Sequence, residues 1–203
     1  MPRPFQTLTH PTHFCYEEKR SRFIAHLWPI QSKDEGFEYF ETIKQQHPDA
    51  RHHCWAYVIG DPEQALAAGF NDDGEPGGTA GKPMLNVLMQ RKVGNVFAVV
   101  VRYFGGTLLG VPGLINAYKS AASMALQVTP VVQKPIEVVY TLQFDYTQMN
   151  EIMMHVKQMN CQVLEKDMNL FCRLVIGIPK GRLDEALYKF KDIRNVEILK
   201  NSL

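Results

Sequence analysis

Apolar residues recur along this chain with two spacings, every second residue and every third or fourth, and the two spacings take turns. Phe14 to Ile30 predicts a strand pair turning around Lys19-Arg20-Ser21-Arg22. Ser32-x-x-Glu35 is a capping box that opens a helix with Phe37, Phe40 and Ile43 inward, and Pro48 stops it. His52 to Gly60 alternates as a strand. Met84 to Met89 keeps helical spacing, and the β-branched run Val96 to Val101 reads as a strand buried on both faces. A further helix begins near Pro112. Its inner stripe is Val111, Leu114, Ile115, Tyr118, Ala122 and Ala125, and Asn116, Lys119, Ser123 and Gln127 form its wet side.

Thr129-Pro130 and Lys134-Pro135 interrupt the pattern and predict a domain boundary, with a first domain over 1–133 and a second over 134–203. In the second, the pattern runs strand (Val138 to Phe144), helix (Thr147 to Met159), strand (Cys161 to Lys166), turn (Asp167 to Asn169) and strand (Leu170 to Ile178). A helix with Leu183, Ala186, Leu187 and Phe190 inward and a strand over Val196 to Leu199 complete it. That βαββαβ order is the ferredoxin-like plan, so the fold class expected is α+β in both domains. The stripe Met149, Ile152, Met153 and Val156 reads as core filling, and nothing in this half points to chemistry.

Bulk properties narrow the function classes. The 203 residues are 45% hydrophobic and 21% charged, with a formal net charge of +1 and both signs mixed throughout. No overall basic field advertises nucleic acid, so an RNA or ribosome partner would need a local patch. Residues 1–13 lack an apolar leader segment, and no stretch is long enough to cross a bilayer, so a cytoplasmic protein with no membrane partner is expected. Cys15, Cys54, Cys161 and Cys172 stand apart without C-x-x-C spacing, so neither a disulfide framework nor a zinc knuckle is indicated.

Two segments carry candidate chemistry. At the end of the buried strand stands Arg102, followed by the pair Gly105-Gly106. A guanidinium there requires a carboxylate or a bound anion to meet its planar fork, and the glycines allow close approach of a backbone. Upstream, Gly69 to Pro83 is too glycine-rich to read as helix or strand and carries Asp72, Asp73, Glu75, Thr79 and Lys82. Three neighbouring carboxylates call for a cation: a metal such as Mg2+, an arginine such as Arg51 or Arg102, or solvent. The helix start after Gly77 would present free N–H groups, an anion-attracting feature, although Pro83 stands where a Walker loop needs a hydroxyl.

R-H-H-C at Arg51 to Cys54, D-D-G-E-P-G-G-T-A-G-K-P at Asp72 to Pro83, and V-V-V-R-Y-F-G-G-T-L-L-G at Val99 to Gly110 together resemble the IMPACT family in its bacterial YigZ branch. The K-x-S-x-F element (Lys19, Ser21, Phe23) agrees as well. The resemblance implies an N-terminal domain with the fold of the second domain of ribosomal protein S-five and of domain four of elongation factor G, and a C-terminal domain like domain five of that factor. Eukaryotic relatives are translational regulators that act on a starvation-sensing kinase pathway absent from bacteria, so their partner does not transfer. The family's motif residues fall on Arg51, His52, Asp72, Asp73, Gly74, Glu75, Thr79, Gly81, Lys82, Arg102, Gly105, Gly106 and Gly110. Val111-Pro112 depart from the Thr-Gly usual in bacterial members, which removes a hydroxyl from the helix start.

Three functions follow. In the first, a translation-linked regulator binds a ribosome, structured RNA or a translation-associated protein. Arg51, His52, Thr79, Gly81, Lys82, Arg102, Gly105 and Gly106 meet phosphate, and Lys19, Arg20 and Arg22 extend a basic edge. In the second, Asp72, Asp73 and Glu75 hold a divalent metal and His52 or His53 acts as general base on a phosphate-bearing substrate. The third is a protein-interaction module. The first is preferred, and no catalytic residue is assigned.

Overall fold

The computed structural model of the protein describes residues 4–168 and 171–201. The chain folds as two compact units, one over Phe5–Lys134 and one beginning at Pro135.

In the first unit, β2 (Thr12–Glu18), β3 (Ser21–Pro29), β4 (His52–Ile59), β5 (Ala67–Asn71) and β6 (Val96–Tyr103) form an antiparallel sheet in the order β2-β3-β6-β4-β5. Central β6 is buried along its length up to Arg102, because helices cover both faces. On one face α2 (Gly81–Gln90) and α3 (Gly110–Val128) close over Phe23, Ala25, Leu27, Cys54, Ala56, Val96, Ala98 and Val100. On the other, α1 (Lys33–Gln46) packs over Phe97, Val99 and Val101. Ser32 caps α1 as its sequence signature predicts, its hydroxyl accepting the Glu35 N–H at 3.2 Å. The reciprocal bond goes one residue further out, from the Gln31 N–H to the Glu35 carboxylate.

In the first unit, two elements differ from the pattern-based expectation. The glycine-rich segment is not all loop: Gly69 lies in β5 and Gly81 opens α2. Glycine fits at 69 because a Cβ there would sit 2.8 Å from the Tyr57 ring. And β1 (Phe5–Leu8) pairs antiparallel with β7 (Val131–Lys134) in a two-stranded sheet whose four-residue strands are too short for a period to show.

The second unit places β8 (Glu137–Asp145), α4 (Met149–Gln158), β9 (Gln162–Met168), β10 (Phe171–Pro179), α5 (Leu183–Asp192) and β11 (Glu197–Lys200) in βαββαβ order, with the sheet order β11-β8-β10-β9. Asp167 and Met168, expected in a turn, extend β9; Asn169 and Leu170 lie outside the described residues. Ile152, Val156, Ala186 and Phe190 close the helices onto Leu142, Phe144, Leu174 and Ile176.

A row of rings stands on the α1 face of the first sheet. His26 stacks on Trp28 at 5.6 Å and on His13 at 6.1 Å, and Trp28 stacks on Tyr39 at 5.4 Å. Burial, with His47 and His13 adding to it, pushes the His26 pKa down from 6.5 to about 4. Between those values the unfolded chain binds a proton that the native chain does not, so this contribution to stability is complete above pH 6.5 and is lost as pH falls. The urea midpoint is therefore expected to decline between pH 6.5 and 4, and His26→Leu to flatten that decline.

Candidate functional site

Five strand ends meet at one end of the first unit's sheet. The register sets Glu18 opposite Ser21, Arg22 opposite Tyr103, His52 opposite Arg102 and Trp55 opposite Asn71. The hairpin tip Lys19-Arg20, the segment 72–80 before α2 and the segment 104–109 before α3 therefore gather there. The glycine loop and Arg102 converge as the sequence suggests.

Their meeting is closed. Arg102 Nη1 lies 2.6 Å from Glu75 Oε1, and the two side chains are only 8% and 3% exposed. Tyr118, on α3, donates its hydroxyl to the same carboxylate oxygen at 2.8 Å. Burial holds the Tyr118 pKa far above its ordinary value, so it stays a donor. The guanidinium also lies over the rings of Phe23 (5.5 Å) and Phe104 (5.7 Å). The Cys54 thiol sits 3.4 Å from the Tyr118 hydroxyl and 3.0 Å from the Asp72 carbonyl, and burial pushes its pKa up, which makes it a packed thiol rather than a nucleophile. Arg102, expected to meet phosphate, is instead committed to Glu75.

The carboxylates do not converge on a cation site. Asp72 points at the start of α2, where Oδ1 accepts from the Ala80 and Gly81 N–H groups (3.0 and 2.8 Å) and Oδ2 from Gly78 N–H (2.7 Å). The helix N-terminus, expected to be free for phosphate, already holds an anion supplied by the chain. Asp73 accepts the His53 N–H at 2.7 Å, and its carbonyl accepts from His52 Nδ1 at 2.8 Å. With Glu75 held by Arg102, no group of three or more His, Cys, Asp or Glu side chains is arranged for a metal among the described residues. Thr79 is buried with its hydroxyl on the Pro76 carbonyl. His53, a candidate base, is buried, donates from Nε2 to the His47 carbonyl, and has its pKa lowered by desolvation.

What remains open is mostly cationic, together with the exposed Asp73 carboxylate and the apolar side chains of Phe104 and Leu108. Lys19, Arg20, Arg22, Arg51 and Lys82 are exposed around this end, as is Gly106. Lys19 and Arg20 occupy left-handed backbone (φ 46° and 65°) at the two centre positions of the β2–β3 turn, a conformation that suits Asn-Gly far better. Gly105 packs against the Arg20 backbone, where a Cβ would collide, and donates its N–H to the buried Ser21 hydroxyl at 3.0 Å. Sequence reasoning did not single out Tyr118 beyond its place in an apolar stripe. The available signal was that a buried tyrosine hydroxyl needs a partner.

A two-unit α/β chain whose first unit folds an acidic glycine loop onto a strand-terminal arginine is matched over residues 19–126 by the Impact N-terminal domain. The chain belongs to the IMPACT family. It is 40% identical to IMPACT family member YigZ of Escherichia coli (strain K12) over 182 residues, covering 90% of this chain and 89% of that one. To IMPACT family member YvyE of Bacillus subtilis (strain 168) it is 35% identical over 198 residues, covering 88% and 90%. A crystal structure described as that of a hypothetical protein superposes with a TM-score of 0.74 at 36% identity, covering 100% of this chain and 99% of that one. No helix among the described residues is long and apolar enough to cross a membrane.

Proposed function

We propose that the protein is a translation-linked regulator that binds structured RNA or the ribosome through the basic end of its first sheet. The reading rests on family membership and on one observation: Asp72 and Glu75 are engaged from within, which leaves Asp73 as the exposed loop acid against Lys19, Arg20, Arg22, Arg51 and Lys82, all of which face outward. The loop acids would otherwise repel phosphate; with Asp72 turned onto N–H groups and Glu75 buried under Arg102, the exposed balance favours it. The S-five-like first domain and the ferredoxin-like second domain belong to the same proposal. The β11-β8-β10-β9 sheet with its βαββαβ order supports the latter.

The hairpin tip provides the test. Left-handed φ at a non-glycine residue costs about 1 kcal/mol or more, and such strain is often kept where it serves function. Lys19→Asn with Arg20→Gly is expected to stabilise the fold by about 1–2 kcal/mol in urea unfolding while weakening RNA binding. Adding Lys82→Ala weakens it further and makes log K fall less steeply with log salt, by roughly one in the slope for each phosphate left unneutralised. Failure of the parent protein to sediment with ribosomal subunits or to bind structured RNA at low salt would overturn the reading. Capture of a translation factor that survives nuclease treatment would replace RNA by a protein partner.

A further inference from the structure

A second site lies on the α1 face of the same unit, away from the basic loops. Between α1, β2 and β3 is an open cavity of about 380 Å3 whose walls include His13, His26, Trp28, Tyr39, Thr42 and Gln46. That volume is in the lower part of the roughly 300–1,000 Å3 range of small-molecule pockets. None of its lining residues is Asp, Glu, Lys or Arg. Four of the walls are flat π systems already arranged in a stacked row. The Nε2 atom of His26 is buried and makes no hydrogen bond.

We propose that this cavity binds an uncharged, planar heteroaromatic ring of the nucleobase kind. An open cavity walled by rings favours a flat ligand, because contact with aromatic and imidazole rings is strong and tolerant of which base is present. The absence of charged walls selects a neutral one. A purely apolar ligand would leave the polar wall unmatched, whereas the edge of a heteroaromatic base carries the donors and acceptors that the Thr42 oxygen and the Gln46 amide can meet. With its pKa near 4, His26 is the neutral imidazole at physiological pH, with one nitrogen as donor and the other as acceptor. The ring can belong to a free nucleoside or to an unpaired base of a single-stranded RNA. The inference does not depend on the basic end of the sheet.

Adenosine, uridine, ribose 5-phosphate and a short unstructured oligoribonucleotide are titrated into the full chain carrying Trp55→Phe, so that the emission of Trp28 reports the cavity. Saturable quenching by a nucleoside or the oligonucleotide, and none by ribose 5-phosphate, is expected. Thr42 is exposed on α1, so Thr42→Tyr keeps the fold while its ring enters the cavity mouth; it is expected to weaken binding roughly tenfold or more. Lys82→Ala is expected to leave nucleoside binding unchanged. Nucleosides that bind as well as the oligonucleotide identify a free ligand, and an oligonucleotide roughly tenfold tighter, still lost in Thr42→Tyr, identifies an unpaired RNA base. Absence of saturable quenching at millimolar nucleoside and oligonucleotide, or equal binding by Thr42→Tyr, overturns the proposal.

Discussion

Glu75→Ala is expected to lower the stability of the first unit by about 3–5 kcal/mol, read as a drop in urea midpoint at unchanged slope. The substitution leaves the Arg102 guanidinium, 8% exposed, without the carboxylate that meets it and leaves the Tyr118 hydroxyl without that acceptor. A buried charge stripped of its partner is costly, whereas replacing both partners by apolar groups of similar volume is often close to neutral. Arg102→Met with Glu75→Leu should therefore recover most of the loss. Tyr118→Phe alone removes one charge-assisted hydrogen bond and should cost about 1.5–3 kcal/mol. A loss under about 1 kcal/mol in Glu75→Ala would mean that water reaches the pair.

Asp72→Ala is the second large effect, about 3 kcal/mol. Three N–H groups, of Gly78, Ala80 and Gly81, share its two oxygens, and leaving a partly buried donor unmet costs about 1 kcal/mol or more each. The damage should be local, with hydrogen exchange accelerating across 74–84 before it does in β6. Asp72→Asn keeps an acceptor for Ala80 and Gly81 but turns an amide toward Gly78, so about a third of the loss is expected.

These two carboxylates also mark where sequence reasoning stopped. That Arg102 requires an anion was legible, because a guanidinium ending a β-branched run leaves few alternatives. That the anion is Glu75 and not a ligand was not legible, because a carboxylate 27 positions away is chosen by the path of the loop. Asp72, Asp73 and Glu75 crowd one another in sequence and suggest a cation. In space they diverge, because the left-handed backbone at Asp73 and Gly74 (φ 39° and 81°) turns the chain between them. The helices and long strands were readable because their apolar periods span several turns or alternations; Ser32, Ile43 and Val96 to Val101 fell where their spacing placed them. The β1–β7 pair was missed because Phe5 and Leu8 find their partners 129 and 123 positions later, beyond any local pattern.

That last pair has a practical consequence. Phe5 faces Lys134 across a two-stranded ladder, so the first unit starts and finishes at the same spot. It is a closed cassette: new ends could be opened at an exposed loop and the old ones joined by a short peptide. A truncation that trims the opening octapeptide as if it were a dispensable tail would strip the buried Phe5 and Leu8 and unzip the seam.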